Sequence, residues 1–235
     1  VRAFVEGHAP DVCVVHDPLL WRAFAAALPG RRVLVVHVDH HHLDRVRGLD
    51  APSRSSVELG QAMEEADRVV VPSLAVAKRI AERQAGTTAN GGLPRWLMVA
   101  RFGVDEAEPR AQVPAGPVLY LGRLDRAKGT DALLEAMRGV GAPLVVAGGL
   151  PHNPRAESTW RDRWPDVQWR GWLEPEARDA LMRQASMVVM PSKEETLGLV
   201  ALEAMRLGVP VVARDVGGLG ELVRATGGGV LVGPG

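Results

Sequence analysis

The residues best suited to chemistry fall in three places. Arg123 and Lys128 lie in LGRLDRAKGTDALLEAM, between an apolar run and a helical pattern. The start of a helix after a strand leaves backbone N–H groups unpaired and turns the positive end of the helix dipole outward. Two cations added there make a seat for a diphosphate. A pair of ordinary surface cations is the plain alternative. Lysine usage favours the first reading, because only three of the 28 basic residues are lysine: Lys78, Lys128 and Lys193. Lys128 therefore departs from an arginine habit where a compact ammonium suits a phosphate.

The second place is PSKEETLGLVALEAMRLGVPVV, in which seven residues separate Glu195 from Glu203. Glu195 belongs to a loop and Glu203 to the helix after it. Glu203 sits among Leu202, Ala204 and Met205, where an ionised carboxylate is costly unless donors reach it. A ribose diol would supply two hydroxyls, although an exposed helix glutamate would read much the same. Between the two acids, Thr196, Leu197, Gly198 and Leu199 begin the helix, whose free N–H groups can meet a phosphate that Gly198 allows close.

The third is RVLVVHVDHHHLDR, carrying His37, Asp39, His40, His41 and His42. His37-x-Asp39-His40 has the spacing of zinc hydrolases, and Asp39-His40-His41 that of the DHH phosphoesterases. Neighbours on an extended chain point to opposite sides, so His40 to His42, read as a loop, are poor joint ligands for one ion. Such hydrolases also need further ligand motifs, which the remaining sequence does not space correctly. A metal-dependent hydrolase or phosphoesterase built on His37–His42 stays as the alternative function. His16 and His37 each close a strand, with Asp17 and Asp39 following, and a histidine so placed often only hydrogen-bonds a neighbouring loop.

These residues need a scaffold that places strand ends side by side. DVCVVH, RVLVVHV, DRVVVPS and WLMVARF are short apolar runs, most of them followed by a helical pattern, and Ser73 is a good N-cap for LAVAKRIAERQ. Residues 103–116, GVDEAEPRAQVPAG, break the alternation and read as a linker. Beyond them GPVLYLG, PLVVAGG, VQWRG, SMVVMPS, VPVVARD and GVLVGPG give six more strands. The alternation implies βαβ units and parallel sheets, and continuous apolar strands imply burial on both faces. The expected fold is α/β, with two doubly wound parallel-sheet domains at 1–112 and 113–235, the first of them partial. In such sheets ligands bind beyond the C-terminal strand ends.

Composition narrows the classes. The chain has 235 residues, 46% hydrophobic, with 28 basic and 28 acidic side chains, and no basic block that would suit a nucleic acid. The one cysteine, Cys13, lies in an apolar run and suits packing. No apolar stretch approaches the ~18 to 20 residues of a membrane span. Work in the cytoplasm is expected, with peripheral contact at the inner face of a membrane left open, and nothing marks an oligomeric state.

GRLDRAKG, followed by PSKEETLGLVALEAMRLGVPVVARDVGGLGELV, resembles the retaining glycosyltransferases of family 4, which have the GT-B fold of two Rossmann-like domains facing a cleft. The second stretch carries the family's E-x7-E region and its trailing Gly-Gly-x-x-Glu. VVHDPLL, VLVVHV, ADRVVVPSLAVAKRIAE and RFGVD are similar to family segments in the same order. The resemblance implies transfer of a glycosyl unit from a nucleotide sugar to the hydroxyl of a sugar, lipid or small molecule, with no cofactor and no metal. It implies that Gly122, Arg123 and Lys128 hold the diphosphate, Glu195 the sugar and Glu203 the ribose. Gly198 and Leu199 supply phosphate-facing amides, Thr196 and Leu197 belong to the same donor site, and Gly171, Trp172 and Leu173 lie at the nucleobase. The residues implied as catalytic are His37, Arg123, Lys128 and Glu195, and those on the acceptor side His16, His37 and Asp39. Leu197 stands where the family usually has an aromatic, which is expected to loosen packing beside the sugar. Trp160, Trp164, Trp169 and Trp172 read equally well as core. The chain is expected to lack both ends of the family's full length, so a nucleotide-binding fragment without turnover is a further alternative.

Overall fold

The computed structural model describes residues 10–24, 28, 30–84, 92–111, 115–149 and 154–233. It divides the chain into two compact units, Val1–Phe102 and Gly103–Gly235. The domain boundary expected between 112 and 113 lies outside the described residues.

In the first unit the four apolar runs form β1 (Val12–Val15), β2 (Arg31–Val35), β3 (Arg68–Val71) and β4 (Leu97–Val99). They pair in sequence order and all in parallel. Helices α1 (Pro18–Phe24), α2 (His40–Arg47), α3 (Arg54–Glu65) and α4 (Leu74–Gln84) connect them. Leu34, Val36, Val69 and Val71 meet Trp21, Leu59, Val76 and Ile80 in one core. The expected cap on α4 is present, with the Val76 N–H donating to Ser73 Oγ at 3.4 Å.

One element differs from expectation. His40 to His42 form the first turn of α2 rather than a loop. Asp39 caps that turn by accepting from the His42 N–H at 3.3 Å, and Gly48 ends the helix with φ 72°. A second acid fastens the helix to its successor, because Asp44 accepts from the Ser53 N–H at 2.8 Å and from the Ser56 hydroxyl. Burial raises the Asp44 carboxyl, but these hydrogen bonds outweigh it and hold the group below its ordinary value.

The second unit holds β5 (Val118–Leu121), β6 (Leu144–Ala147), β7 (Gln168–Gly171), β8 (Met187–Met190), β9 (Val211–Arg214) and β10 (Gly229–Val232). Helices α5 (Thr130–Met137), α6 (Pro154–Arg163), α7 (Pro175–Gln184), α8 (Leu199–Arg206) and α9 (Gly217–Thr226) alternate with them. All pairs are parallel, in the order β10-β9-β8-β5-β6-β7. Alternate residues of β5 and β6 serve opposite faces: Leu119, Leu121, Val145 and Ala147 one core, Val118, Tyr120, Leu144 and Val146 the other. Helix α6 was not expected in its Trp- and Pro-rich stretch. Pro154 opens it, at a position whose N–H has no helical partner in any case.

The segment entering this unit is held by one side chain. Arg110 donates to the carbonyls of Gly208 (3.2 Å), Arg183 (3.2 Å), Ala185 and Ser186 (3.4 Å). Three of these carbonyls lie at the C-terminal end of α7, where a cation also meets the negative end of the helix dipole. Arg110→Ala is expected to lower the stability of the second unit by about 2 kcal/mol, the scale of a charge-assisted hydrogen bond whose acceptors are left unpaired. Urea unfolding of the two proteins, compared at equal m-value, measures it.

Candidate functional site

The strand order of the second unit reverses between β5 and β8: the chain proceeds from β5 to β6 on one side and from β8 to β9 on the other. The crevice beyond the C-terminal ends of two such strands is where doubly wound sheets bind ligands. Gly122 to Gly129 follow β5 and Pro191 to Gly198 follow β8, so the two richest sequence motifs meet at this edge.

The two connections are fastened to each other. Lys193 N–H donates to the Ala127 carbonyl at 2.7 Å. Gly129, at φ 68°, passes so near Pro191 that a Cβ would lie 2.1 Å from its carbonyl oxygen. Across the junction Lys128 Nζ pairs with Glu195 Oε1, and Ser192 Oγ donates to the same oxygen at 3.1 Å.

Asp125 organises the cations. Its Oδ1 accepts from the Lys128 N–H at 2.9 Å, and its Oδ2 pairs with Arg123 Nη2 at 3.2 Å. Beneath, the Tyr120 hydroxyl donates to the Arg123 carbonyl at 2.6 Å and accepts from Thr130 Oγ1 at 3.1 Å. Burial raises the Tyr120 phenol far above its ordinary value, so it remains a donor.

Helix α8 opens at the same edge behind Gly198, where φ is 89° and a Cβ would lie 2.8 Å from Leu219 Cδ1. Leu197 is 4% exposed, so the leucine is packed where loosening was expected, while Leu199 is exposed. Glu203 lies one turn into α8 and pairs with Arg178 Nη2 of α7 at 2.9 Å. Its Oε2 is buried without a hydrogen-bond partner. Burial raises the Glu203 carboxyl above its ordinary value, with Arg178 and Arg206 pulling the other way.

At the end of the edge strand β7, beyond β6 from β5, Gly171 turns the chain with φ 66°. Trp172 beyond it is 77% exposed, which removes it from the core. Trp160, Trp164 and Trp169 do pack against the second core of this unit, as does Leu173 against the first.

In the first unit His16 and His37 close the adjacent strands β1 and β2. Their rings stack with centroids 5.1 Å apart, and His16 Nδ1 shares a hydrogen bond with His37 Nε2 at 2.9 Å. His37 also stacks on Phe102 at 5.0 Å. Burial, then the charge of His16, lowers the His37 imidazole below its ordinary value. Asp39 does not join them as an acceptor-side residue. It is 1% exposed, caps α2, and is held by Arg79 Nε at 3.4 Å and Arg83 Nη1 at 3.2 Å. The helical turn separates His40, His41 and His42 around the α2 axis, and Asp44 is engaged by Ser53 and Ser56. Among the described residues no group of three or more His, Cys, Asp or Glu side chains could hold a metal ion.

Asp125, Ser192, Tyr120 and Arg178 were not singled out by sequence. Two of them left a signal. Asp125 stands three before Lys128, the reach of an N-cap, and Ser192-x-x-Glu195 has capping-box spacing.

A family model described as Glycosyl transferases group 1 matches residues 108–235, more than half of the chain. The chain belongs to this family. The D-inositol 3-phosphate glycosyltransferase of Segniliparus rotundus is 32% identical over 211 residues, covering 77% of this chain and 44% of that protein. The alpha-D-kanosaminyltransferase of Streptomyces kanamyceticus is 35% identical over 127 residues, covering 50% and 32%. Among solved structures, sucrose-phosphate synthase from Thermosynechococcus elongatus matches with a TM-score of 0.79 at 22% identity, over 99% of this chain and 63% of that one. The two parallel-sheet α/β units are those of the GT-B glycosyltransferases. The chain spans 44% and 32% of the two curated relatives. No helix among the described residues is long and apolar enough to cross a membrane.

The histidines carry a pH dependence. His37, His40 and His41 all have imidazoles lowered from their ordinary value, chiefly by burial, with His16, Arg47 and Arg83 respectively adding to it. A lowered histidine binds its proton more weakly folded than unfolded, so its stabilising contribution is present above about pH 6.5 and lost as pH falls through the folded value. Unfolding followed from pH 8 to pH 5 is expected to show stability declining below about pH 6.5, with a shallower decline in a His37→Gln, His40→Gln, His41→Gln protein.

Proposed function

We propose that this group 1 glycosyltransferase moves a glycosyl unit from a nucleotide sugar to an acceptor hydroxyl, with retention at the anomeric carbon and without a metal ion. The observation that carries the proposal is the meeting of Arg123, Lys128, Glu195 and the α8 N-terminus at the reversal point of one sheet. The names of the relatives, an alpha-D-kanosaminyltransferase and a D-inositol 3-phosphate glycosyltransferase, support the reaction class.

Departure of the nucleoside diphosphate builds negative charge on the oxygen that leaves the anomeric carbon. Arg123 and Lys128, aimed beforehand by Asp125, stabilise that charge more in the transition state than in the bound donor. N–H groups at the start of α8 add to this. Glu195 accepts from hydroxyls of the donor sugar and Glu203 from the ribose, for which its unpartnered Oε2 is suited once the Arg178 pair adjusts. Gly171, Trp172 and Leu173 form the base-binding loop, with the indole of Trp172 as its platform. The acceptor hydroxyl attacks the face that the diphosphate leaves, and the departing phosphate oxygen takes its proton. Glu195 is thus a sugar ligand and forms no covalent bond.

His37 is the acceptor-side residue in this proposal, backed by His16. A lowered imidazole is neutral at pH 7 and can accept a hydrogen bond from a hydroxyl.

The test is a thermal-shift series with UDP, GDP, ADP and their glucose conjugates in the presence of a chelator. At 100 times Kd one of them should add ~2.7 kcal/mol of stability, and no shift with any would remove the donor site. Lys128→Ala should raise the barrier to transfer by ~2 to 4 kcal/mol, as loss of one oxyanion donor does. Turnover of a working donor by the full-length protein, unchanged in that variant, would refute the role.

A further inference from the structure

The pair between Lys128 and Glu195 joins two residues that the proposed reaction uses separately, one on the diphosphate and one on the sugar. We propose that it is a latch that discriminates between donor and product, holding a nucleotide sugar in preference to the bare nucleoside diphosphate left after transfer. The proposal rests on the donor site described above.

The pair is well sheltered for a surface crevice, with side chains 23% and 13% exposed. Neither backbone is at liberty to swing away. The Glu195 carbonyl accepts from the Gly218 N–H of α9 at 3.0 Å, and the turn bearing Lys128 is tied to the Glu195 connection through Lys193 and Ala127 at 2.7 Å. Ser192, 2% exposed, donates to the same Oε1 that faces Lys128. The carboxylate therefore stays beside whatever anion Lys128 receives.

That proximity has opposite consequences for the two ligands. A diphosphate arriving alone gives Lys128 a second anion and sets its own charge beside Glu195, a like-charge contact in a partly dry site. A diphosphate bearing a sugar brings hydroxyl donors to the carboxylate and offsets the repulsion. Once the sugar has been transferred those donors depart, Lys128 returns to Glu195, and the diphosphate is loosened. The same carboxylate thus grips the donor and speeds release of the product.

Isothermal titration of the 235-residue chain with UDP, GDP and ADP, their glucose conjugates, and uridine, guanosine and adenosine tests this. Glu195→Gln keeps shape and hydrogen bonding but removes the charge. It is expected to tighten the bound diphosphate roughly 5- to 10-fold, leave the matching nucleoside unchanged, and narrow the ratio between nucleotide sugar and diphosphate. Ser192→Ala, which frees the carboxylate from one of its two holds, should narrow that ratio about 2-fold and covers the case in which Glu195→Gln does not fold. Diphosphate binding that Glu195→Gln leaves unchanged or weakens overturns the latch alone. Wild-type protein that binds none of the three diphosphates saturably removes the donor site, and the latch with it.

Discussion

The second unit depends on a constraint at one point: two connections from strands adjacent in space, but far apart in sequence, must meet without separating. Lys193 bonds to Ala127, and Gly129 passes Pro191 at a distance no side chain would permit. The strand order makes the meeting possible, since β5 lies beside β8 while β6 and β7 occupy the far side. With those contacts formed, the cations of one connection and the acid of the other sit in a common place. The chemistry of the site then follows from the topology.

Charge is handled differently in the two units. In the first, the buried acids Asp39, Asp44 and Glu58 work as fasteners: Asp39 and Asp44 for α2, Glu58 for the side chain of Arg54 at 2.8 Å. Asp39 caps α2 and Asp44 ties it to the capped start of α3, while Glu58 takes Arg54 on Oε1 alone. In the second, Asp125 and Glu195 sit in the crevice and pair with cations that a ligand would also want. A fastener loses stability when its partner is removed, whereas these two, at 23% and 13% exposure, keep an edge toward the crevice along which a partner can be exchanged.

Much of the scaffold was legible in the sequence. The ten strands among the described residues all stand where strand runs were read; β5 and β6, buried throughout, write themselves as unbroken hydrophobic runs, whereas β1, β7 and β10 expose alternate residues, against the expected burial on both faces. Helices with less apolar signal were harder. The three histidines of α2 give no hydrophobic stripe, although Asp39 and Gly48 bracket the helix as caps do. Proline obscured α6. For the site, the motifs located Arg123, Lys128 and Glu195, but not the pair of the last two, which lie 67 positions apart. Asp39 shows what sequence could not: close after His37 in the chain, it is buried, caps α2 and pairs with two arginines. Trp172 could be told from its three core neighbours only by exposure.

Tyr120 is the single tyrosine of the chain, and its hydroxyl holds the carbonyl of Arg123. Isotope labelling of tyrosine alone would therefore mark one residue of these 235, directly under the loop that carries the basic pair. The fold has in effect a spectroscopic probe already installed, tuned to any shift of the β5 connection. That connection can be followed in this way without an introduced label.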